Sequence, residues 1–371
     1  MVRATGPTDN EAADFARKRI MMPDAPRRSA GIVFPLLAAT ALVSSFAAGS
    51  AAAETCSGPP RKINVGVSVS PPNVVHTTAY VAKELGLFAK HCLDVNIIQF
   101  DGGSSPAASV ALTQGNTFAT VSDVQVGRGM KVKQVWGLAP KAPQAYVVSE
   151  GIKGFGDLKG KRLSAAGGGV GSFNWRIGRE ALSKANLSVD NAQFISQGTA
   201  GRLAGLVANQ IDAVSLHPED AYLAMKQKPG LTILTQVADL MPLYSFNSYG
   251  VSTDTIAKDR QAVVDFVAAM VEANRAIYRD KDKVIPIMVT ATQKPREAVE
   301  YAWDSLTKNC IWSVNEGFEP ERTQWTIDHD VAAGDIDAAK KPAVDQVIDQ
   351  KIASDGVAAA GGRADIRGCK L

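Results

Sequence analysis

The same order of strands and helices occurs twice along this sequence, 94 residues apart. A shift that carries Leu93 onto Leu187 aligns two segments without a gap as far as Ala119 and Ala213. The identical pairs between these limits also include valine, a second leucine and a Gln-Phe dipeptide. Because the identities coincide with a repeated order of elements, we predict an internal duplication. Two similar α/β lobes would enclose a cleft, with the strand–helix loops of both lobes pointing into it.

Within each half, predicted strands alternate with predicted helices. In the first half, strands are predicted at 63–69, 95–100, 118–121 and 132–138, with helices near 78–87 and 106–114. In the second half, strands are predicted at 163–166, 193–196, 211–216 and 231–234, again separated by helices. After Tyr244 the pattern becomes mainly helical, at 259–278, 296–308, 320–332 and 342–354. The alternation is typical of parallel sheets covered by helices.

The expected organisation is therefore a discontinuous first lobe, 60–147 and 248–355, and a continuous second lobe, 148–247. Strands at 145–148 and 248–252 would form the hinge between the lobes. The last segment, 356–371, is rich in glycine and alanine and is expected to be a loose C-terminal tail.

A glycine-rich turn lies between a short predicted strand and a helix in the stretch 157–176. Ser172 precedes an apolar stripe at helical spacing, which predicts that it caps the helix. Four glycines before it let the backbone pass close to a ligand, and the free N–H groups of a helix start favour an anion. The turn matches neither GxGxxG nor GxxxxGK[ST], so we do not expect a nucleotide there. A plain strand–helix turn without a ligand is the alternative.

Residues 1–53 are expected to be a cleaved signal peptide. An uncharged apolar run at 30–48 follows Arg27-Arg28 and precedes Ala51-Ala52-Ala53, an A-x-A cleavage pattern. A membrane span is the alternative, but Pro35 and the many small residues disfavour it. The formal net charge of +3 gives no electrostatic reason to expect binding to nucleic acid.

All four cysteines follow the predicted cleavage point, in a compartment where disulfides form. They are Cys56, Cys92, Cys310 and Cys369. The sequence alone leaves three pairings open. No CxxC or Cys/His cluster indicates a metal site, and no cofactor is expected.

Several short motifs, in order, resemble one protein family. They are the segment Ala82-Lys83-Glu84-Leu85-Gly86-Leu87-Phe88, then Leu93-Asp94-Val95, Asp157-Leu158-Lys159-Gly160-Lys161, Gln210-Ile211-Asp212-Ala213 and Pro218. Together they resemble periplasmic solute-binding proteins of the nitrate/taurine/aliphatic-sulfonate type, which share a fold with thiamine-pyrimidine synthases. The resemblance covers about 62–352. It implies a two-lobed α/β fold of the type II periplasmic binding proteins, a monomer, a small-molecule ligand and an ABC-importer permease as partner.

The sequence departs from the family at three positions. The family usually has glycine where Cys92 and Asn209 stand, and aspartate where Phe118 stands. Cys92 in place of glycine favours a disulfide. We predict the pairs Cys92–Cys310 and Cys56–Cys369, the second because chain ends often lie close together.

Five loops are expected to face the cleft, at 70–73, 102–105, 122–123, 169–172 and 217–219. The candidate ligand-binding residues are Pro71, Asn73, Ser104, Ser105, Ser122, Asp123, Gly171, Ser172, Trp175, His217 and Glu219. Small polar groups and exposed backbone suit a site that orients a ligand by a few hydrogen bonds. Any one of these serines is equally well explained as a helix cap, and His217 is equally well explained as a solvated loop residue. Asp123 and Glu219 as a carboxylate pair would instead suit an acid–base enzyme.

The predicted function is that of an exported, periplasmic substrate-binding protein without enzymatic activity. Its ligand is expected to be a small organic acid, a sulfonate or carboxylate, with the charged end at Gly171-Ser172 and a mirrored helix start at Thr78 opposite. The predicted cleft loops carry no Arg or Lys, so the helix starts would supply the positive potential. The alternatives are a thiamine-pyrimidine-synthase-like protein acting on a pyrimidine or pyridine, a neutral or aromatic guest on Trp175, and a receptor sensing domain.

Overall fold

The computed structural model describes residues 56–103 and 105–371. The predicted signal peptide and the candidate residue Ser104 lie outside the described residues. The described strands, in chain order, are β1 (Arg61–Val67), β2 (Leu93–Gln99), β3 (Thr117–Thr120), β4 (Val132–Ala139), β5 (Ala145–Val148), β6 (Arg162–Ser164), β7 (Gln193–Ile195), β8 (Ala213–Leu216), β9 (Thr232–Gln236) and β10 (Asn247–Ser252).

Helices follow or cover these strands throughout. They are α1 (Thr78–Glu84), α2 (Leu87–Lys90), α3 (Pro106–Thr113), α4 (Asp123–Gly127), α5 (Phe173–Ser183), α6 (Gly201–Val207), α7 (Pro218–Gln227), α8 (Val237–Leu240), α9 (Thr253–Lys258), α10 (Arg260–Arg279), α11 (Lys281–Thr292), α12 (Arg296–Lys308), α13 (Pro320–Ala332), α14 (Val344–Val347) and α15 (Gln350–Ala359). Within the described ranges, no helix has both the length and the apolar character that crossing a membrane requires.

The strands form two five-stranded sheets with equivalent strand orders. The first sheet has the order β2-β1-β3-β10-β4 and the second the order β7-β6-β8-β5-β9. We call each sheet with its covering helices a lobe. The matching orders are consistent with the predicted duplication, because corresponding strands occupy corresponding places in the two sheets.

Each sheet is mixed rather than purely parallel. Strand β10 is antiparallel to both β3 and β4, and β5 is antiparallel to both β8 and β9. Both strands enter their sheet from a segment that crosses between the lobes, not from a strand–helix–strand unit, so no rule requires them to be parallel. Strand β5 lies in the second sheet, so the first crossing falls between Ala139 and Ala145, before the predicted boundary at 147/148.

The first lobe is built around α10, which covers the first sheet. Phe118 on β3 is fully buried and stacks on Phe266 of α10, with ring centroids 4.2 Å apart. Burial of a phenylalanine side chain contributes roughly 1.5–3 kcal/mol to stability. Phe118 therefore supports the core at the position where the resembled family carries aspartate. In the second lobe, the predicted stripe of α5, including Ile177 and Leu182, packs on Leu163 of β6.

The disulfide pairing differs from the prediction. Cys56 is bonded to Cys92, and Cys310 to Cys369. The predicted pairs Cys92–Cys310 and Cys56–Cys369 are therefore wrong, although all four residues do form disulfides. Strands β1 and β2 pair in parallel from their first residues, so the segments just before them, which carry Cys56 and Cys92, lie side by side.

The C-terminal segment is packed rather than loose. Helix α15 continues to Ala359, and both Ile366 and Cys369 are buried in the core of the first lobe. The backbone N–H of Val314 donates to the carbonyl oxygen of Leu371. The glycine and alanine content of this segment reflects close packing and turns, which composition alone does not distinguish from a mobile tail.

Candidate functional site

A cavity of about 140 Å³ lies between the two sheets. Its walls come from loops of both lobes and from the segments that cross between them. The polar lining residues are Ser68, His76, Thr120, Ser122, Gln125, Gln144, Asn174, Arg176, Thr199, Arg202, His217, Tyr244 and Asn247. A concave site built from both lobes is the arrangement expected of a protein that closes on a small molecule.

The glycine-rich turn forms one wall of this cavity. Ser172 is the N-cap of α5, and its hydroxyl oxygen accepts a hydrogen bond from the Trp175 backbone N–H at 3.3 Å. Gly171, with φ of 84°, lines the cavity. A Cβ atom on Gly102 of the first lobe would lie 2.5 Å from the carbonyl oxygen of Gly167. Glycine at this contact therefore lets the two lobes approach each other closely.

Two buried histidines face each other in the cavity wall. The ring centroids of His76 and His217 lie 5.3 Å apart in an edge-to-face arrangement. Burial, with a further contribution from the Arg202 charge, lowers the pKa of His76 to about 3. Burial also lowers the pKa of His217 well below its ordinary value, with His76 as the next cause. Both imidazoles are therefore neutral at physiological pH.

The hydrogen bonds of these histidines place their ring protons. Asn247 Nδ2 lies 3.1 Å from His76 Nε2, and Gln144 Nε2 lies 3.2 Å from His217 Nε2. With the amide nitrogens donating, both Nε2 atoms accept and both Nδ1 atoms carry the proton. Neither Nδ1 has a hydrogen-bond partner among the described residues. With the amides assigned in this way, each of these two cavity-lining side chains carries a buried N–H that no described residue accepts.

Arg202, near the start of α6, is a buried cation on the cavity wall. Its guanidinium donates to the carbonyl oxygen of Thr199 at 2.9 Å, to that of Ser215 at 3.4 Å and to Asn73 Oδ1 at 3.1 Å. Among the described residues it forms no ion pair, although Asp220 and Glu219 lie near enough to oppose the lowering of its pKa by burial. A guanidinium has five N–H donors, so two remain beyond these three hydrogen bonds.

Arg176 on α5 lines the same cavity but is already paired. It donates to Asp330 Oδ2 at 2.9 Å and to the Tyr244 hydroxyl at 3.2 Å. Burial alone lowers the pKa of Arg176, but Tyr244, Asp330 and Asp335 outweigh burial and raise it. The positive charge of Arg176 is therefore balanced by Asp330 within the protein, whereas Arg202 has no direct ion pair among the described residues.

Asp123 belongs to the same buried network. Burial, reinforced by the nearby Asp330 carboxylate and opposed by Arg176, raises the pKa of Asp123 to about 7. Its Oδ2 atom has no hydrogen-bond partner among the described residues. It lines a smaller cavity of about 40 Å³ that adjoins Ser122 and Phe246.

Glu219 belongs to a different network, which joins the two lobes. Its Oε1 accepts from Asn73 Nδ2 at 2.7 Å and from the Val74 backbone N–H at 3.0 Å. Asn73 Nδ2 also donates to Asp220 Oδ2 at 2.8 Å, and Asp220 is paired with Lys294. Burial, with Asp220 as the next cause, raises the pKa of Glu219. Asp123 and Glu219 thus lie in separate networks and do not form the carboxylate pair considered from sequence.

The structure distributes the sequence-predicted residues over three positions. Ser122, Gly171 and His217 line the main cavity, and Asn73, Asp123, Ser172 and Glu219 lie directly behind it or bridge the lobes. Pro71, Ser105 and Trp175 do not line it: Ser105 caps α3, and Trp175 packs against Phe194 beneath the Arg179 guanidinium.

The mirrored helix start also differs from the prediction. Helix α1 begins at Thr78, whose hydroxyl donates to Asn274 Oδ1 at 2.8 Å. Its N-cap is Thr77, which makes no side-chain capping bond. Thr78 is thus engaged with α10 and is not among the residues that line the cavity.

Sequence reasoning missed Arg202 and the loop that precedes it. The 94-residue repeat contained a signal, since it carries the predicted loop 102–105 onto 196–199. Thr199 in that loop lines the cavity and donates from its backbone N–H to Asp101 Oδ1 at 2.8 Å. The loop was passed over because it carries no glycine-rich pattern as distinctive as that before Ser172.

Comparisons with known proteins agree with this architecture. A family model described as NMT1/THI5 like matches residues 73–283. A protein of Brucella abortus (strain 2308) named "Putative binding protein" is 26% identical over 197 residues, which cover 52% of this chain and 60% of that relative. The chain thus spans less than two thirds of that relative's length.

Solved structures show the same fold at low sequence identity. The periplasmic aliphatic sulphonate binding protein SsuA from Escherichia coli matches with a TM-score of 0.62 and 19% identity, over 79% of this chain and 99% of that one. The periplasmic nitrate-binding protein NrtA from Synechocystis PCC 6803 matches with a TM-score of 0.62 and 15% identity, over 81% and 90%. The desulfurization enzyme DSZB matches with a TM-score of 0.57 and 13% identity, over 80% and 99%. The shared fold is the two-lobed fold of periplasmic binding proteins, and it includes an enzyme.

Proposed function

Because the chain belongs to the NMT1/THI5-like family, we propose that it is the exported ligand-binding component of an ABC importer and captures a small organic acid between its lobes. The cavity draws residues from both lobes, so closure of the lobes would enclose the ligand. SsuA and NrtA, which share the fold, are named for binding a sulphonate and nitrate, both anions. Two disulfides fit an exported protein, and a permease would be its partner in the membrane.

The observation that carries the proposal is the unpaired Arg202. Burial lowers the pKa of Arg202, and the Asp220, Glu219 and Asp101 charges offset this only in part, so the buried guanidinium would be stabilised by a further negative charge. A carboxylate or sulfonate in the cavity would supply that charge and accept the two remaining N–H donors. Arg176 lacks this capacity because Asp330 already neutralises it.

The start of α5 would reinforce Arg202. Gly171 and Arg202 line the same cavity of about 140 Å³, so both act on a guest of that size. A helix N-terminus carries roughly half a positive charge. The anion is therefore held by a guanidinium and by the helix start, whereas the sequence alone predicted that the helix starts would hold the anion without a buried arginine.

Isothermal titration calorimetry against small sulfonates, carboxylates and neutral amides tests the proposal. We expect the acids to bind and the Arg202→Gln variant to lose at least about tenfold in affinity, since a charge-assisted hydrogen bond contributes roughly 1.5–3 kcal/mol. Arg296→Gln is the control, because Arg296 is exposed and its ion pair among the described residues is with Glu300. Binding restricted to neutral compounds, with Arg202→Gln unaffected, would contradict the proposal.

A neutral pyrimidine or pyridine compound is the second candidate. The observation that favours it is the set of amide side chains beside the neutral histidines, namely Gln144, Asn174 and Asn247. Amides offer a donor and an acceptor side by side, as the edge of a pyrimidine does. Hydroxymethylpyrimidine and pyridoxine in the same titration distinguish this candidate, and mass spectrometry of the recovered ligand shows whether it is chemically altered.

The absence of enzymatic activity remains a prediction, which the same mass spectrum tests. The monomeric state also remains a prediction, which sedimentation analysis tests.

A further inference from the structure

Five aromatic rings form a continuous wall of the cavity. Phe246 is central: its ring centroid lies 6.2 Å from those of His76 and His217 and 5.3 Å from that of Phe173. Phe173 in turn lies 5.5 Å from Tyr244. All five side chains line the same cavity. Rings at these separations favour another ring as a neighbour, by roughly 0.5–1.5 kcal/mol per aromatic pair beyond the effect of area.

The volume of the cavity matches a single ring. A protein cavity of about 150 Å³ takes up benzene. The cavity here, about 140 Å³, therefore suits one six-membered ring with a small charged substituent. A fused second ring would require the lobes to remain apart, because the loops at Gly102 and Gly167 are already in contact.

The two histidines that line the cavity each have an Nδ1 atom without a partner among the described residues. His76 and His217 are each at least nine-tenths buried. An unsatisfied buried donor costs roughly 1–3 kcal/mol. A ring nitrogen or a ring oxygen substituent would accept from such a donor, whereas an unsubstituted aliphatic chain leaves it unsatisfied.

We propose that the ligand is a one-ring aromatic acid that carries a hydrogen-bond acceptor within or beside its ring. Arg202 recognises its anionic group, the aromatic wall recognises its ring, and the histidine N–H groups recognise the additional acceptor. This inference rests on the proposed function and narrows the small organic acids to one chemical class.

A graded series of ligands on the unaltered protein tests this inference by calorimetry. Cyclohexanecarboxylate, benzoate and pyridine-2-carboxylate have similar size and charge, while 2-naphthoate adds a ring. We expect benzoate to bind about tenfold more tightly than cyclohexanecarboxylate, pyridine-2-carboxylate more tightly still, and 2-naphthoate more weakly than benzoate. Equal or tighter binding of cyclohexanecarboxylate than of pyridine-2-carboxylate overturns the inference. If aliphatic acids bind, the proposed function survives that result; if no acid binds at all, the proposed function itself fails.

A pair of variants locates the source of the preference. Phe246→Leu removes the central ring of the wall, and Phe194→Leu removes a similarly half-buried ring that packs on Trp175 away from the cavity. We expect the ratio of benzoate to cyclohexanecarboxylate affinity to fall to about twofold in Phe246→Leu and to stay near tenfold in Phe194→Leu. An unchanged ratio in Phe246→Leu, with the variant folded by circular dichroism, overturns the assignment of the wall.

Discussion

Replacing Asp123 with asparagine should make the protein more stable at neutral pH than at acid pH, relative to the parent. Asp123 is only 4% exposed and lies beside Asp330 and Arg176. Burial and the Asp330 charge raise its pKa from 3.8 to about 7. The folded state therefore keeps this carboxyl protonated over a range where the unfolded chain does not.

The sign and size of the effect follow from proton linkage. Below pH 3.8 the group is neutral in both states, and the stability that its raised pKa contributes is fully present. As the pH rises from about 4 through about 7, the parent loses roughly 1.4 kcal/mol per pH unit from this group, or roughly 4 kcal/mol in all. Asparagine is neutral throughout and has no such loss. The difference in unfolding free energy between Asp123→Asn and the parent should thus grow by roughly 4 kcal/mol between pH 4 and pH 8.

Urea denaturation at pH 4.5, 5.5, 6.5 and 7.5 measures this difference, and the slope with denaturant checks that unfolding remains two-state. Asp190→Asn provides the control, because Asp190 is exposed at the surface of the second lobe. The comparison of variant with parent cancels the titrating groups that do not interact with Asp123. A difference that stays constant across this range, or that shrinks as pH rises, would refute a buried, protonated Asp123.

Three further predictions concern the glycine contact, the helix cap and the disulfides. Gly102→Ala places a Cβ atom 2.5 Å from the Gly167 carbonyl oxygen, at a backbone φ of 99°. Calorimetry should therefore show at least a tenfold loss of ligand affinity. An unchanged affinity would show that ligand binding does not need the two lobes to approach so closely. Ser172→Ala removes the cap of α5 and should lower the unfolding free energy by about 1 kcal/mol in urea denaturation; no loss would mean that the cap is replaced by water. Replacing both Cys310 and Cys369 with alanine opens a loop of 59 residues and should lower the unfolding free energy by roughly 4 kcal/mol in the same assay. A denaturation midpoint equal to that of the parent would contradict this prediction.

The fold was predictable from the sequence because it depends on local pattern. The alternation of strands and helices predicted two α/β lobes, and both sheets were found with equivalent strand orders. The direction of β5 and β10 was not predictable in the same way. Apolar periodicity identifies a strand but carries no information on which neighbours it pairs with.

Site residues were predictable only where a local sequence pattern marked their loop. Ser122, Gly171 and His217 directly follow predicted strands or a glycine-rich run, and they line the cavity. Arg202 lies within a helix, and its bond to Asn73 joins residues 129 positions apart. Such a contact is set by how the lobes meet, which no local pattern records.

The cysteine pairing failed for a related reason. Cys56–Cys92 depends on β1 and β2 being parallel neighbours with matched starts, and Cys310–Cys369 depends on how the last residues return to the first lobe. The expectation that the two chain ends would be joined used a general tendency of domains and no knowledge of register. Pairing is a property of the assembled sheet.

The placement of β10 between β3 and β4 has a consequence for the order in which the chain can assemble. All strands of the second sheet lie between Ala145 and Gln236, so this sheet can close as soon as that segment is available. The first sheet cannot, because β3 and β4 do not pair with each other and wait for Asn247–Ser252 to fill the gap. Until then both strands present unpaired edges, which are sites for aggregation. The strand that follows the second crossing is thus also the last strand needed to complete the first sheet, so the second crossing must form before that sheet is whole.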